Sequence, residues 1–157
     1  MTKEFTCCFT GHRVVGNDLS IDTLRRGIEY LVNKGVYIFV AGGALGFDTI
    51  CAQQVLLMKE KYPQIQLHIY APCNNQTEHW KMSDIKIYEE ILKKADFVDM
   101  PDFPYYVGCM KDRNYKMVDS SAYCIAYLNT TSQSGTAQTV RYAKSKHLTI
   151  YNIAGKE

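Results

Sequence analysis

Several short stretches of this sequence carry residue types suited to holding an anionic ligand. The first is Thr10-Gly11-His12-Arg13. Gly11 permits close backbone approach, and Arg13 offers a fork of donors for phosphate or carboxylate; without a ligand the same residues make a surface turn with a solvated arginine. The second is Ala41-Gly42-Gly43-Ala44-Leu45-Gly46-Phe47-Asp48. Gly42, Gly43 and Gly46 at a strand-to-helix turn let backbone N–H groups point at an anion beside a positive helix terminus. The run has neither the Lys-Ser/Thr ending of a P-loop nor the GxGxxG of a dinucleotide fingerprint. Asp48 would repel a phosphate it faced, so it either caps the helix or takes hydrogen bonds from ribose hydroxyls or acts on them. The third is Asn129-Thr130-Thr131-Ser132-Gln133-Ser134-Gly135-Thr136, where hydroxyls, a glycine and a helix start together form a phosphate cradle.

Two further stretches belong with these. In Met110-Lys111-Asp112-Arg113-Asn114-Tyr115-Lys116-Met117, residues 110, 113, 114 and 117 share one helix face by their spacing. The methionines bury that face and draw Arg113 inward, where a charge needs a partner; a ligand contact is favoured over an internal salt bridge. In Cys73-Asn74-Asn75-Gln76-Thr77-Glu78-His79-Trp80, Gln76 could read a base edge, and Trp80 or Tyr106 could stack on a base. The alternative for Trp80 is core packing under the loop, and His79 reads as a surface residue.

These stretches need a frame, and apolar runs alternating with helical periodicity supply one. Strands are expected at Phe5 to Phe9, Val36 to Ala41, Ile65 to Ala71, Phe97 to Met100, Ala122 to Leu128 and Leu148 to Ile153. Between them, helices are expected from a Ser20 cap to Gly35, from the glycine turn to Tyr62, from a Ser83 or Asp84 cap to about Ala95, from Met110 to Ser121, and from Gly135 to Lys146. The order predicts a Rossmann-like α/β three-layer sandwich, with a mainly parallel sheet and helices on both faces, as a single domain over 1–157. Ligands of such folds sit outside the carboxyl ends of the strands, where the chemical stretches fall.

Composition narrows the function. The 157 residues are 46% hydrophobic and 22% charged, the balance of a globular chain. Lys+Arg of 18 against Asp+Glu of 16 gives a net charge of +2, without the basic footprint of a duplex-DNA or membrane-surface binder. No run approaches a membrane span, and the N-terminal residues do not resemble a signal peptide, so the expected location is cytoplasmic with no membrane partner. The six cysteines make no CxxC pair and match no zinc spacing, so no metal and no cofactor is expected. Cys7, Cys8 and Cys124 read as small hydrophobes, and Cys73 and Cys109 as the two that could border a site.

The motifs, in this order along nearly the whole chain, resemble the SLOG superfamily, the Rossmann-like group linking Smf-type DNA-processing proteins with LONELY GUY phosphoribohydrolases, and most of all its YpsA-like branch. The matching pieces are Phe9-Thr10-Gly11-His12-Arg13, the Ala41–Asp48 run, Gln76 and Trp80 after Pro72, Arg113-Asn114, and Ser134-Gly135-Thr136. LONELY GUY enzymes carry M-x-x-R-K-x-x-M and then P-G-G-x-G-T-x-x-E, with the Arg and final Glu serving N-glycoside hydrolysis. Here the Arg falls on Arg113 and the Glu on Thr139, which is no carboxylate, and the Pro-Gly-Gly is replaced by a longer hydroxyl-rich loop. The resemblance thus implies phosphate binding without that family's hydrolysis. Asp48, Glu78 and Asp119 are the carboxylates that could substitute, with Arg113 and Asp48 the foremost catalytic candidates.

The resulting expectation is a binder or sensor of a nucleotide or nucleotide derivative, such as a nucleoside phosphate or an ADP-ribose-like molecule. Its ligand residues would be Gly11, His12, Arg13, Gly42, Gly43, Gly46, Asp48, Gln76, Trp80, Arg113, Asn114, Ser134, Gly135 and Thr136. One alternative is an N-glycoside-cleaving phosphoribohydrolase or deoxyribosyltransferase-like enzyme in the same pocket. A further alternative, by analogy with the Smf-type relatives, is a single-stranded DNA-binding module. The apolar Tyr105-Tyr106-Val107 stretch is the candidate homodimer interface.

Overall fold

The computed structural model describes residues 2–130 and 133–155. After a short 3-10 turn at Lys3–Phe5, strands and helices alternate: β1 (Thr6–Gly11), α1 (Ile21–Asn33), β2 (Ile38–Ala41), α2 (Phe47–Met58), β3 (Gln66–Tyr70), α3 (Met82–Lys94), β4 (Phe97–Asp99), α4 (Cys109–Asp119), β5 (Tyr123–Tyr127), α5 (Gly135–Ser145) and β6 (Thr149–Asn152). All six strands pair in parallel, in the order β4-β3-β2-β1-β5-β6. This is the expected Rossmann-like α/β sandwich.

Alternation along the strands sorts the core into two halves. Cys7 and Phe9 of β1, Phe39 of β2 and Leu67 and Ile69 of β3 pack with Leu24, Ile28 and Leu31 of α1, with Phe47, Cys51 and Val55 of α2 and with Ile91 of α3. Cys8 of β1, Val40 of β2 and Cys124 and Ala126 of β5 turn the other way, onto Met117 and Val118 of α4 and Val140 and Ala143 of α5. The chain lays β1 to β4 outward in one direction, then returns to the other side of β1 for β5 and β6. Because parallel crossovers keep one hand, that reversal sends α4 and α5 to the opposite face. It also opens a crevice between the carboxyl ends of β1 and β5, the place where such sheets bind ligands.

Local signals fix the ends of α1 as read from sequence. Ser20 Oγ accepts the Thr23 N–H at 3.2 Å. At the other end Gly35 takes φ 99°, and the N–H groups of Gly35 and Val36 bond back to Val32 and Leu31, a Schellman closure. Two expected helix limits are corrected. α2 ends at Met58, four residues before Tyr62, because the chain then tightens into i→i−3 bonds from Glu60 to Leu57 and from Lys61 to Met58. α3 is capped by extended Lys81, whose carbonyl takes the Asp84 and Ile85 N–H groups. Ser83 and Asp84 are therefore first-turn residues, where Asp84 complements the helix dipole. On the exposed face of α3, Glu90 and Lys94 pair at 3.5 Å.

All six cysteines are free and buried. No helix among the described residues is long and apolar enough to cross a membrane, and no described group of three His, Cys, Asp or Glu is placed to hold a metal.

Candidate functional site

The loops after β1 and β2 are locked together before any side chain reaches the crevice. The ring of Phe47 fills the space beside Gly11, where a Cβ would lie 2.3 Å from it. Phe47 in turn stacks on Tyr127 and meets Phe9 edge-on. Gly46, at φ 85°, lies against the Arg13 carbonyl, and the Phe47 N–H bonds to the His12 carbonyl at 3.1 Å.

The glycine turn itself is corrected. The anion its backbone holds is Asp48: the Ala44 N–H donates to Asp48 Oδ2 at 3.2 Å. A Cβ on Gly42 would lie 2.6 Å from the Arg113 guanidinium carbon and 2.8 Å from Asp48 Oδ2. One on Gly43, at φ 76°, would lie 2.8 Å from the Tyr88 ring. Gly42, Gly43 and Gly46 are thus packing positions that let charged and aromatic side chains close in, and they do not line the crevice.

Arg113 is 6% exposed, as its helix face demands. Its Nη1 donates to the carbonyls of Gly42 and, at 3.1 Å, Tyr70, and its Nε donates to Asn114 Oδ1 at 2.9 Å. Among the described residues it has no carboxylate within ion-pair distance and its Nη2 has no acceptor. The internal salt bridge posed by the sequence is not formed among the described residues: carbonyls fix the guanidinium, and Asp48 is a charge neighbour beyond ion-pair distance. Burial pulls the Arg113 pKa down from its ordinary value, with Asp48 opposing. Burial likewise lifts the Asp48 carboxyl, against the pull of Arg113 and the backbone N–H groups.

Around these two charges lies a cavity of about 270 Å³ lined by Phe9, Thr10, Gly11, His12, Arg13, Ala44, Asp48, Met110, Arg113, Asn114, Ser134, Gly135 and Thr136. Nine of the expected site residues therefore meet here. At the start of α5, Ser134 Oγ takes the Ala137 N–H at 3.0 Å, leaving the Gly135 and Thr136 N–H groups without acceptors among the described residues. Thr131 and Ser132 of the hydroxyl-rich loop lie outside the described residues. His12 Nε2 accepts the Asn129 N–H at 3.3 Å, which places the neutral ring's proton on Nδ1. Its ring stands edge-on to Tyr127, whose hydroxyl donates to Asp18, while Asn129 Nδ2 donates to Asp18 Oδ2 at 2.9 Å.

Gln76 and Trp80 sit next door, in a groove of about 720 Å³ that shares Arg13 and Met110 with the smaller cavity. Trp80 meets Tyr88 edge-on at 5.4 Å, and Gln76 Nε2 donates to the Tyr88 hydroxyl at 3.0 Å. Gln76 Oε1 is buried with no partner among the described residues. The second aromatic of the groove is Tyr105; Tyr106 instead donates its hydroxyl to Asp112 and lines a separate cavity with Cys109. Cys73 borders the groove, and burial raises its pKa. Of the other carboxylates, Glu78 sits beside exposed His79 at the groove's rim. Asp119 accepts from Tyr142 at the far end of α4. Thr139 is buried, and its hydroxyl bonds its own helix at the Gly135 carbonyl, 2.9 Å away.

Sequence reasoning missed Tyr88 and the Tyr127–Asp18–Asn129 group beside His12, and it read Tyr105, which lines the groove, only as part of a candidate homodimer interface. Tyr88 and Tyr127 read as ordinary core positions, and only their hydroxyls, invisible to periodicity, carry the function of holding neighbours. Met110, read as a buried face, lies instead on the rim common to both cavities.

The parallel sheet, its reversal at β1 and the crevice beside the loops of β1, β2 and β5 define a Rossmann-like α/β protein. The chain belongs to the YspA SLOG family, whose model it matches over residues 16–156. It is 31% identical over 140 residues to the SPbeta prophage-derived protein YoqJ of Bacillus subtilis, covering 81% of each chain. It is 38% identical over 69 residues to a UPF0398 protein of Halalkalibacterium halodurans, covering 44% of this chain and 36% of that one. Among solved structures, DNA processing protein A of Streptococcus pneumoniae superposes with TM-score 0.73 at 16% identity, over 98% of this chain and 52% of that one. The Helicobacter pylori DNA processing protein A, described for its single-stranded DNA binding mode, superposes with TM-score 0.64 at 19% identity, over 94% and 64%. At these identities the likeness shows the fold.

Proposed function

We propose that the chain binds a nucleoside phosphate at the sheet reversal, with the phosphate in the smaller cavity and the base in the adjoining groove. The observation that carries this reading is Arg113. Its guanidinium is buried and fixed by two carbonyls and Asn114, its Nη2 has no acceptor among the described residues, and it lines a cavity that the start of α5 also lines. A buried cation without a bonded anion is costly, and an anion at a helix N-terminus is favourable. A phosphate satisfies both at once, and Trp80 and Tyr105 give the neighbouring groove two flat surfaces for a base. Calorimetric titration with AMP tests this reading. Arg113→Lys, which keeps the charge but loses the fork, should weaken binding by roughly tenfold or more, on the scale of a charge-assisted hydrogen bond. Unchanged affinity would overturn the assignment.

A second reading, single-stranded DNA, is favoured by one observation: aromatic and apolar side chains stand exposed beside the groove, with Tyr105 59% and Val107 91% exposed. A structural neighbour of this chain binds such strands. The two readings separate by length. A mononucleotide site saturates with AMP and gains little from an oligonucleotide, whereas a strand-binding surface gains affinity with each added base, at about 1–3 kcal/mol per stacked base.

A further inference from the structure

The lining of the smaller cavity mixes donors with one buried acceptor. Arg113, His12 and, at the start of α5, Gly135 and Thr136 bring N–H groups to it. Asp48, 8% exposed and held at Oδ2 by the Ala44 N–H, lines the same space. An ionised carboxylate only accepts hydrogen bonds, and it repels a phosphate. Whatever part of the ligand faces Asp48 must therefore donate. In a nucleoside phosphate the donors are the base N–H groups and the free sugar hydroxyls. The wider groove with Trp80 and Tyr105 is the place for the flat base, and the sugar lies between base and phosphate.

We infer that Asp48 is the specificity residue of this site, accepting hydrogen bonds from free sugar hydroxyls, so that the site selects a free ribonucleotide over an internal nucleotide of a DNA strand. The inference rests on the nucleoside-phosphate reading above. It follows from covalent structure: inside a DNA strand the 2′ position has no hydroxyl and the 3′ oxygen is esterified, so the sugar has no O–H left to satisfy Asp48. A buried acceptor left without its donor opposes binding, and sites built to bond a hydroxyl reject analogues that lack it more strongly than apolar pockets reject a change of size.

The test compares AMP with 2′,3′-dideoxy-AMP by calorimetry on the full chain. The wild type should prefer AMP by about tenfold or more. Asp48→Asn should shrink that preference, while Arg113→Lys should weaken both ligands alike and preserve it. Circular dichroism checks the fold of each variant, and Asp48→Ser, smaller and neutral, repeats the comparison if the Asn variant does not fold. Equal affinities in the wild type, or a preference that survives both Asp48 variants, would overturn the inference while leaving the phosphate site standing. No binding of either ligand would overturn the nucleoside-phosphate reading, and this inference with it.

Discussion

Asp48 shows at the scale of one residue how a site is held at a cost. Burial lifts its carboxyl above the ordinary value, more than Arg113 and the backbone N–H groups depress it. The folded chain therefore holds this proton more tightly than the unfolded chain. Stability must fall as pH rises from about 3.9, the ordinary aspartate value, through the raised value. Asp48→Asn removes the titration, so thermal unfolding should show the variant more stable than wild type near neutral pH, with the gain closing as pH is lowered toward the ordinary value. A variant less stable than wild type at neutral pH would show that attraction to Arg113 outweighs desolvation. Thr139 makes the complementary case. It stands where the resembling hydrolases place a carboxylate, yet its hydroxyl is bonded to the Gly135 carbonyl of its own helix. Removing a preorganised charge from such a centre costs on the order of a hundredfold or more in rate. Incubation with AMP should thus release no free adenine above background by chromatography; robust release would mean that another carboxylate serves.

At the scale of elements, the β1 and β2 loops behave as one unit because glycines let them interpenetrate. Gly11→Ala would drive a methyl into the Phe47 ring, 2.3 Å from the ideal Cβ, and disturb the Phe9–Phe47–Tyr127 cluster beneath the cavity. Overpacking of this kind costs about 1–3 kcal/mol, to be read as a lowered denaturation midpoint. Gly43→Val, which in a simple phosphate loop would only block a ligand, should here impair folding. It combines φ 76° with a Cβ 2.8 Å from Tyr88. A Gly43→Val protein with wild-type stability would refute this placement of the turn. Away from the site, Asp96 ties three elements together: its carboxylate takes the Leu67 N–H of β3 at 2.8 Å and pairs with Lys59 after α2 at 2.7 Å. Burial raises its pKa, but Lys59 and the Leu67 N–H prevail and hold it below the ordinary value. Its contribution is therefore present above the unfolded pKa and lost as pH falls through the lower folded value. The destabilisation caused by Asp96→Ala should accordingly be largest near neutral pH and shrink in acid.

At the scale of the whole molecule, the nucleotide and strand readings part in their dependence on salt. A net charge of +2 spreads little positive potential over the surface. A strand binder neutralises several phosphates, and its affinity then falls steeply with salt. The proposed site, built on Arg113 and one helix N-terminus, would engage a single phosphate. AMP binding should therefore weaken only mildly between low and physiological salt, and a poly-dT oligonucleotide should show no length-dependent gain in fluorescence anisotropy. The opposite pair of results would favour the strand reading.

The sequence by itself determined the alternation of elements, the buried strands and the face of α4 that draws Arg113 inward, since these follow from periodicity and from the cost of exposing apolar side chains. It also marked nine residues that the fold brings into one cavity, because in a parallel sheet every β-to-α loop opens on the same edge. Tertiary structure alone decided which parts of those loops are packed away and which line the cavity. The glycine turn reads as an anion cradle, but Ala44 gives its N–H to Asp48 four residues on, and Arg113, Tyr88 and the Arg13 carbonyl, all distant in sequence, crowd its three glycines. The same holds for Arg113, whose partners Gly42 and Tyr70 lie 71 and 43 residues away. Backbone carbonyls have no signature in a sequence, so local pattern could say that this charge was buried and could not say what would hold it.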